Sequence, residues 1–118
     1  MPRVNDMNNK NILISGAGIA GTTLAFWLKK YGFNPTIVEI ALKLREGGYA
    51  IDFMGAGYDV ALKMGIADEL KKVDIDFSKL KLVDKNDQEK GSMNYEKVKN
   101  LMNGRAMTLL RSDLAKTI

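Results

Sequence analysis

The 118-residue sequence contains no cysteine and no histidine. Without cysteine the chain can form no disulfide, thiolate nucleophile or cysteine-ligated metal cluster, and it is compatible with a reducing compartment. Without histidine it lacks the commonest general base near neutral pH, so Ser-His-Asp and Cys-His catalysis and imidazole metal sites are excluded. Any chemistry must therefore come from carboxylates, lysines, backbone amides or a bound cofactor.

Long apolar runs and blocks of like charge are also missing. No stretch reaches the roughly 18 apolar residues that a membrane span needs, and residues 1–11 lack the apolar core of a signal peptide. The 18 basic and 14 acidic residues are interspersed, which argues against a nucleic-acid-binding surface. These features predict a cytoplasmic globular protein without nucleic-acid or membrane partners, about one domain in length.

The first 39 residues have the pattern of a strand–helix–strand unit. Residues 11–15 form an apolar run typical of a parallel strand buried on both faces, and the glycine-rich turn 16–21 follows directly. Residues 35–39 predict a second strand, so the unit is expected to be a right-handed βαβ crossover. Between the strands, apolar residues recur at helical spacing at Ala20, Leu24, Trp27, Leu28 and Tyr31.

The pattern beyond residue 40 is weaker and mixed. We expect strands and helices to alternate after a loop, in the order loop 41–48, strand 50–53, helix 58–64, helix 67–72, strand 79–83, strand 91–95 and strand 107–110. Ser112 is expected to cap a helix that starts at Asp113. The sequence stops about one and a half turns into that helix, which favours the front end of a longer protein.

The glycine turn has the GxGxxG spacing of a dinucleotide-binding fold. In such a fold Gly16 permits the tight turn, Gly18 lets the backbone approach a pyrophosphate, and Gly21 brings the helix close to the strand. The free N–H groups of the helix start, at Ile19 and Ala20, would face the phosphates.

Glu39 stands at the end of the second predicted strand, 18 residues after Gly21. An acidic residue at this place accepts hydrogen bonds from a ribose in dinucleotide-binding folds. The alternative is that the turn merely connects strand to helix and that Glu39 is solvated. The motif alone leaves NAD and FAD open as ligands.

Several segments resemble the N-terminal region of the class A flavin-dependent monooxygenases, a family that includes para-hydroxybenzoate hydroxylase and the tetracycline-inactivating monooxygenases. The tetracycline-inactivating branch is the most similar. The resemblance covers nearly the whole chain from Asn11, and the order of the segments makes it more specific than the glycine turn alone. The segments are residues 11–21, 36–39, 47–53, 63–66 and 110–114.

The resemblance implies a fold and a set of cofactor contacts. The fold class is α/β: an incomplete Rossmann-like βαβ dinucleotide-binding fold with the start of a second β-rich region. Residues 1–10 would be a polar leader and residues 11–118 the N-terminal part of an FAD-binding domain, with a strand excursion at about 79–110. The implied FAD contacts are Gly16, Gly18, Ile19, Ala20, Gly21, Glu39, Arg45, Asp52 and Arg111.

One position departs from the family pattern, because Ile40 stands where the family commonly has an arginine. By the resemblance, the complete enzyme would use FAD, with NADH or NADPH as electron donor, to hydroxylate a small organic or aromatic substrate. The family's remaining FAD and substrate motifs lie beyond residue 118, so this chain is expected to be inactive alone and to need a further C-terminal portion or a second copy. Apolar surface is then expected to be left exposed at Leu109, Leu110, Leu114 and Ile118.

Two alternatives remain open at this point. One is the NAD-binding Rossmann domain of a dehydrogenase, which the βαβ pattern permits and which an acidic Glu39 favours over NADP binding. The other is a non-catalytic remnant that keeps the fold but binds no ligand tightly. The flavin absorbance of protein purified without added cofactor would support FAD binding over both.

Overall fold

A computed structural model describes residues 9–45 and 47–118, which form a mixed α/β arrangement of strands and helices. Residues 1–8 of the predicted polar leader 1–10 lie outside the described residues. The chain divides into two compact units. The first ends in the loop near residue 45, and the second covers residues 47–117. Among the described residues, no helix has both the length and the apolar character to cross a membrane.

The first unit is a strand–helix–strand motif. Strand β1 (Asn11–Ser15) is followed by helix α1 (Ile19–Lys30) and strand β2 (Asn34–Val38), and the two strands pair in parallel. Tyr31 caps the carboxyl end of α1, and Gly32 follows with a φ of +81°. The predicted strand, glycine turn, helix and parallel strand are therefore confirmed.

The prediction that strand β1 is buried on both faces is wrong for one of its faces. In β1 only Ile14 is buried, at 7% exposure, whereas Leu13 on the opposite face is 71% exposed. The reason is that α1 covers one face of the strand pair, where Gly21 lies against the side chain of Ile14. Leu24, predicted to belong to the inward stripe of the helix, is half exposed.

The second unit is built around an antiparallel strand pair. Its elements are β3 (Ala50–Met54), α2 (Ala56–Met64), α3 (Ala67–Lys71), β4 (Lys79–Val83), β5 (Glu89–Asn94), α4 (Tyr95–Leu101), β6 (Ala106–Leu110) and α5 (Arg111–Thr117). Strands β3 and β6 pair so that Asp52 lies opposite Thr108, and β4 and β5 form a separate exposed hairpin. The predicted strands at 50, 79 and 107 and the helices at 58 and 67 are confirmed within two residues.

The core of this unit centres on β6, a strand with apolar residues on both faces. Leu70, Met107 and Leu109 are fully buried, and Leu114 of α5 joins them. The expectation that Leu109 and Leu114 would be exposed is therefore wrong. They are buried because β6 and α5 pack within the unit itself, where α3 also contacts α5.

Two helix starts differ from the predictions. Tyr95 begins helix α4, where the sequence pattern predicted the end of a strand, and the Asn94 side chain caps this helix by accepting the N–H of Lys97 at 3.2 Å. Ser112 does not cap the last helix, because α5 already begins at Arg111 and Ser112 is buried inside it.

Candidate functional site

The glycine turn begins at the carboxyl end of β1. The Gly16 N–H donates to the Val38 carbonyl at 2.7 Å, which extends the pairing with β2 by one residue. Gly16 has a φ of +100°, a backbone conformation that side chains with a Cβ rarely adopt. The turn therefore requires glycine at this position for conformational reasons alone.

Gly21 lies where α1 crosses the turn. A Cβ at this position would collide with the backbone oxygen of Gly16, and it would also lie 3.4 Å from the Ile14 side chain. The absence of a side chain thus allows the helix to pack directly on the turn. This contact explains the third glycine of the motif without any ligand.

Gly18 differs from both neighbouring motif glycines. Its φ of −75° and ψ of 179° are extended values that any residue adopts. A Cβ at Gly18 would have no described atom within 4 Å. The protein fold therefore makes no demand for glycine here, and the open space in front of Gly18 can receive a ligand.

The amino end of α1 opens beside this space. Thr22 donates the first intrahelical hydrogen bond, to the Gly18 carbonyl at 3.0 Å, so the N–H groups of Ile19, Ala20 and Gly21 have no partner within the helix. The first turn of α1 carries no acidic residue, and its N-cap residue Gly18 has no side chain that could cap the free N–H groups. The partial positive charge of the helix end is thus available to an anion.

The carboxylate of Glu39 is fixed to the same turn. One oxygen, Oε2, accepts the N–H of Ala17 at 2.7 Å, and the other, Oε1, accepts the N–H of Ala41 at 2.8 Å. The bonds from Ala41 and Ala17 lower the pKa of Glu39 below its ordinary value, and the charge of Arg45 adds a smaller effect in the same direction. Glu39 is therefore an ionised hydrogen-bond acceptor near neutral pH.

A cleft of about 310 Å³ lies between the carboxyl ends of β1 and β2, lined by Ser15, Gly16, Val38, Glu39 and Ile40. Ile40, at the position where the resemblance expects arginine, is 99% exposed. Open α/β sheets bind ligands at the carboxyl ends of their strands, and this volume is in the range of ligand sites. The structure thus brings Glu39 and the glycine turn together around one opening.

Asp52 and Arg111 belong to the second unit. Asp52 lies on β3, and its Oδ1 is 3.1 Å from the Thr108 hydroxyl and 3.3 Å from the Tyr95 hydroxyl. The backbone N–H of Arg111 donates to the Tyr49 carbonyl at 2.8 Å, which places Arg111 beside the start of β3. The structure shows no ion pair of the Arg111 guanidinium with any residue in 9–45 or 47–118.

Sequence reasoning missed the residues that hold the carboxylates. Ala17 and Ala41 act through backbone N–H groups, which every residue except proline possesses, so the sequence carries no signal for them. Tyr95 and Thr108 are ordinary residues of a predicted strand pattern, and nothing in that pattern pairs them with Asp52.

The hydrogen bonds to Glu39 predict a pH-dependent contribution to stability. Because the pKa of Glu39 is lower in the folded chain, its contribution is present above the ordinary pKa of about 4.5 and is lost as pH falls through the folded value. Glu39→Gln should therefore have a lower melting temperature than wild type at pH 7. The difference should shrink as both proteins are melted at successively lower pH, and a difference independent of pH would contradict this assignment.

Comparison with known proteins identifies relatives in sequence. No family model matches the chain. A flavin-dependent monooxygenase from an unknown prokaryotic organism is 52% identical over 63 residues, which is 53% of this chain and 16% of that relative. The chain thus spans about a sixth of the length of the curated relatives it matches.

Solved structures extend the similarity to most of the chain. The crystal structure of the tetracycline destructase Tet(55) matches 92% of this chain and 26% of its own, with a TM-score of 0.75 and 35% identity. The Klebsiella pneumoniae HpxO complexed with FAD and uric acid matches 94% of this chain and 29% of its own, with a TM-score of 0.71. At 16% identity, the HpxO similarity shows the fold alone.

These findings define the class of protein to which the chain is related. Its fold is that of part of the tetracycline destructase Tet(55) and of HpxO, the latter solved in complex with FAD. Several of its sequence relatives carry the name flavin-dependent monooxygenase, and the structural neighbours include class A enzymes, so the resemblance seen in the sequence is confirmed.

Proposed function

We propose that this chain is the FAD-binding N-terminal part of a class A flavin-dependent monooxygenase, with a Rossmann-like βαβ motif that holds the pyrophosphate of FAD. The single observation that carries the proposal is the open space at Gly18, which lies beside the amino end of α1. In this proposal residues 11–118 form the N-terminal part of the FAD-binding domain, and the strands within 79–110 are an excursion from it.

The glycine turn fits a pyrophosphate for electrostatic and steric reasons. The N–H groups of Ile19, Ala20 and Gly21 and the helix dipole favour negative charge, and a diphosphate carries it in compact form. The lack of a side chain at Gly18 allows phosphate oxygens to approach the backbone within hydrogen-bonding distance. Gly16 is required by the backbone conformation of the turn, and Gly21 is required by the packing of α1 on it.

Glu39 fits the ribose at the adenosine end. Each carboxylate oxygen already accepts one backbone N–H, and each has a second lone pair that can accept a ribose hydroxyl. The two backbone bonds fix the carboxylate in advance, so little side-chain entropy is lost on binding. Arg45, whose charge acts on Glu39, is the cation we propose as a further contact, since Ile40 supplies none.

In the second unit we propose Arg111 and Asp52 as further FAD contacts. A guanidinium can donate to phosphate or carbonyl oxygens of the cofactor, and a carboxylate can accept from its hydroxyl or N–H groups. FAD, once bound, supplies hydride acceptance from NADH or NADPH and reaction with dioxygen, whereas this chain supplies binding and orientation. We further propose that hydroxylation requires a C-terminal portion or a second copy.

A second candidate is NAD binding, which Glu39 specifically favours. An ionised carboxylate accepts the unphosphorylated ribose hydroxyls of NAD and repels the additional phosphate of NADP. Titration of the purified chain with FAD, followed by quenching of flavin fluorescence, and with NAD, followed by calorimetry, separates the two. Tighter binding of NAD than of FAD would overturn the proposed function.

Glu39→Ala should weaken FAD binding because it removes a charged acceptor from the ribose. Hydrogen bonds to charged groups of this kind correspond to a loss of roughly ten-fold or more in affinity. Fluorescence titration of FAD against wild type and variant measures the change. A matched control is Glu69→Ala on α3, whose exposed carboxylate pairs with Lys72 and belongs to none of the proposed FAD contacts, so FAD affinity should stay unchanged. Equal affinity for Glu39→Ala and wild type would remove Glu39 from the site.

A further inference from the structure

Two hydroxyl groups hold the carboxylate of Asp52. The Oδ1 of Asp52, the Thr108 hydroxyl and the Tyr95 hydroxyl form a triangle with separations of 3.1, 3.3 and 2.9 Å. Thr108 and Tyr95 are each 4% exposed, whereas Asp52 is exposed. Each hydroxyl has one proton, so the Tyr95 hydroxyl donates to Oδ1, and the Thr108 hydroxyl has both Oδ1 and the Tyr95 oxygen within reach as acceptors.

Neither hydroxyl can easily move away. The Thr108 N–H donates to Asp74 Oδ1 at 2.9 Å, and its carbonyl accepts the N–H of Ile75 at 2.7 Å, so the strand is fixed on the edge opposite β3. The Tyr95 ring stacks on Phe77 with a centroid separation of 4.2 Å. Backbone bonding and ring stacking thus set the positions of both oxygens before any ligand arrives.

The arrangement orients the carboxylate rather than merely neutralising a buried group. Both hydroxyls contact the same oxygen, Oδ1, and Oδ2 makes no hydrogen bond with residues 9–45 or 47–118. An exposed carboxylate needs no protein donors for its own solvation, since water supplies them. Fixing one oxygen restricts the side-chain rotation of Asp52 and presents the other oxygen outward as an acceptor.

We propose that Tyr95 and Thr108 are positioning residues that fix Asp52 as an acceptor for a hydroxyl or N–H group of FAD. This inference rests on the proposed function, because it assigns the ligand of Asp52 to the same cofactor. The two residues act only through Asp52 and do not touch the cofactor themselves. Neither residue belongs to the cofactor motifs seen in the sequence.

A double-mutant cycle tests this coupling in the full 118-residue chain. Thr108→Val removes the hydroxyl and keeps the shape, Thr108→Ser keeps the hydroxyl, and Tyr95→Phe keeps the stacking ring. Each is measured alone and in an Asp52→Ala background by FAD titration, with melting temperatures recorded in parallel. We expect Thr108→Val and Tyr95→Phe to weaken FAD binding by about two- to ten-fold, Thr108→Ser to bind as wild type, and the losses to vanish without Asp52.

The outcomes separate this inference from the proposed function. Equal losses with and without Asp52, or a change in melting temperature with no change in FAD affinity, would show a purely structural role and overturn the inference. Loss of binding in Gly18→Val with unchanged binding in Asp52→Ala would overturn the inference and leave the proposed function standing. A wild-type chain that binds no FAD would overturn both. If Thr108→Val fails to fold, Tyr95→Phe decides the result.

Discussion

Gly18→Val is expected to abolish FAD binding while the chain remains folded. The extended backbone at Gly18 accepts a β-branched residue, and its Cβ has no described atom within 4 Å. The new side chain would instead fill the space that the pyrophosphate needs in front of the α1 amino end. Flavin fluorescence quenching should show no saturable binding, and circular dichroism should show helical signal close to that of wild type.

A serine at the same position is a matched control for helix capping. Glycine and serine both start helices well, whereas valine does so poorly and costs about 1 kcal/mol. Gly18→Ser should therefore melt at or above the wild-type temperature and still weaken FAD binding, because its side chain occupies the same space. Wild-type FAD affinity in both variants would show that the ligand does not approach Gly18, and the proposed site would be wrong.

The local part of the fold could be predicted from the sequence because short-range patterns determine it. The apolar run at 11–15, the glycine spacing and the paired lysines before Gly32 are signals within a few residues of the structure they specify. Glu39 follows β2 and contacts the glycine turn for the same reason, since strand length and helix length fix its distance from the turn; its contact with a cofactor stays a prediction. The three motif glycines lie in the turn after β1 and in the first turn of α1, as the GxGxxG spacing predicts.

Long-range contacts could not be predicted in this way. Strand β6 pairs with β3 across more than 50 residues, and the packing of β6 and α5 within the second unit buries Leu109 and Leu114, which the resemblance led us to expect exposed. Asp52 meets Tyr95 and Thr108 through the same tertiary packing. No periodicity within a single element encodes such contacts, because they depend on which elements become neighbours.

The three motif glycines also differ in a way that spacing does not reveal. Gly16 is required by its backbone conformation and Gly21 by a close contact, whereas Gly18 has neither constraint. The same residue type therefore serves folding at two positions, and at the third we propose that it gives a ligand access to the backbone. Substitutions at Gly18 and Gly21 should separate these roles.

Gly21→Ala is expected to destabilise the chain, although glycine-to-alanine changes inside helices normally stabilise by about 1 kcal/mol. The new methyl group would collide with the backbone oxygen of Gly16, which cannot turn aside as a flexible side chain can. Relieving the collision requires α1 to move off the turn, and overpacking of this kind costs roughly 1 to 3 kcal/mol or more. We expect the melting temperature to fall by about 5 °C or more and FAD binding to weaken with it.

Gly57→Ala in helix α2 provides the matched control for Gly21→Ala. Its new Cβ would lie 3.1 Å from the ring edge of Phe53, a side chain that can shift by a few tenths of an ångström. The gain in helix propensity then offsets much of the contact, so the melting temperature should change far less than in Gly21→Ala. Stabilisation by both substitutions would contradict the close packing of α1 on the glycine turn, because propensity alone would then account for the results.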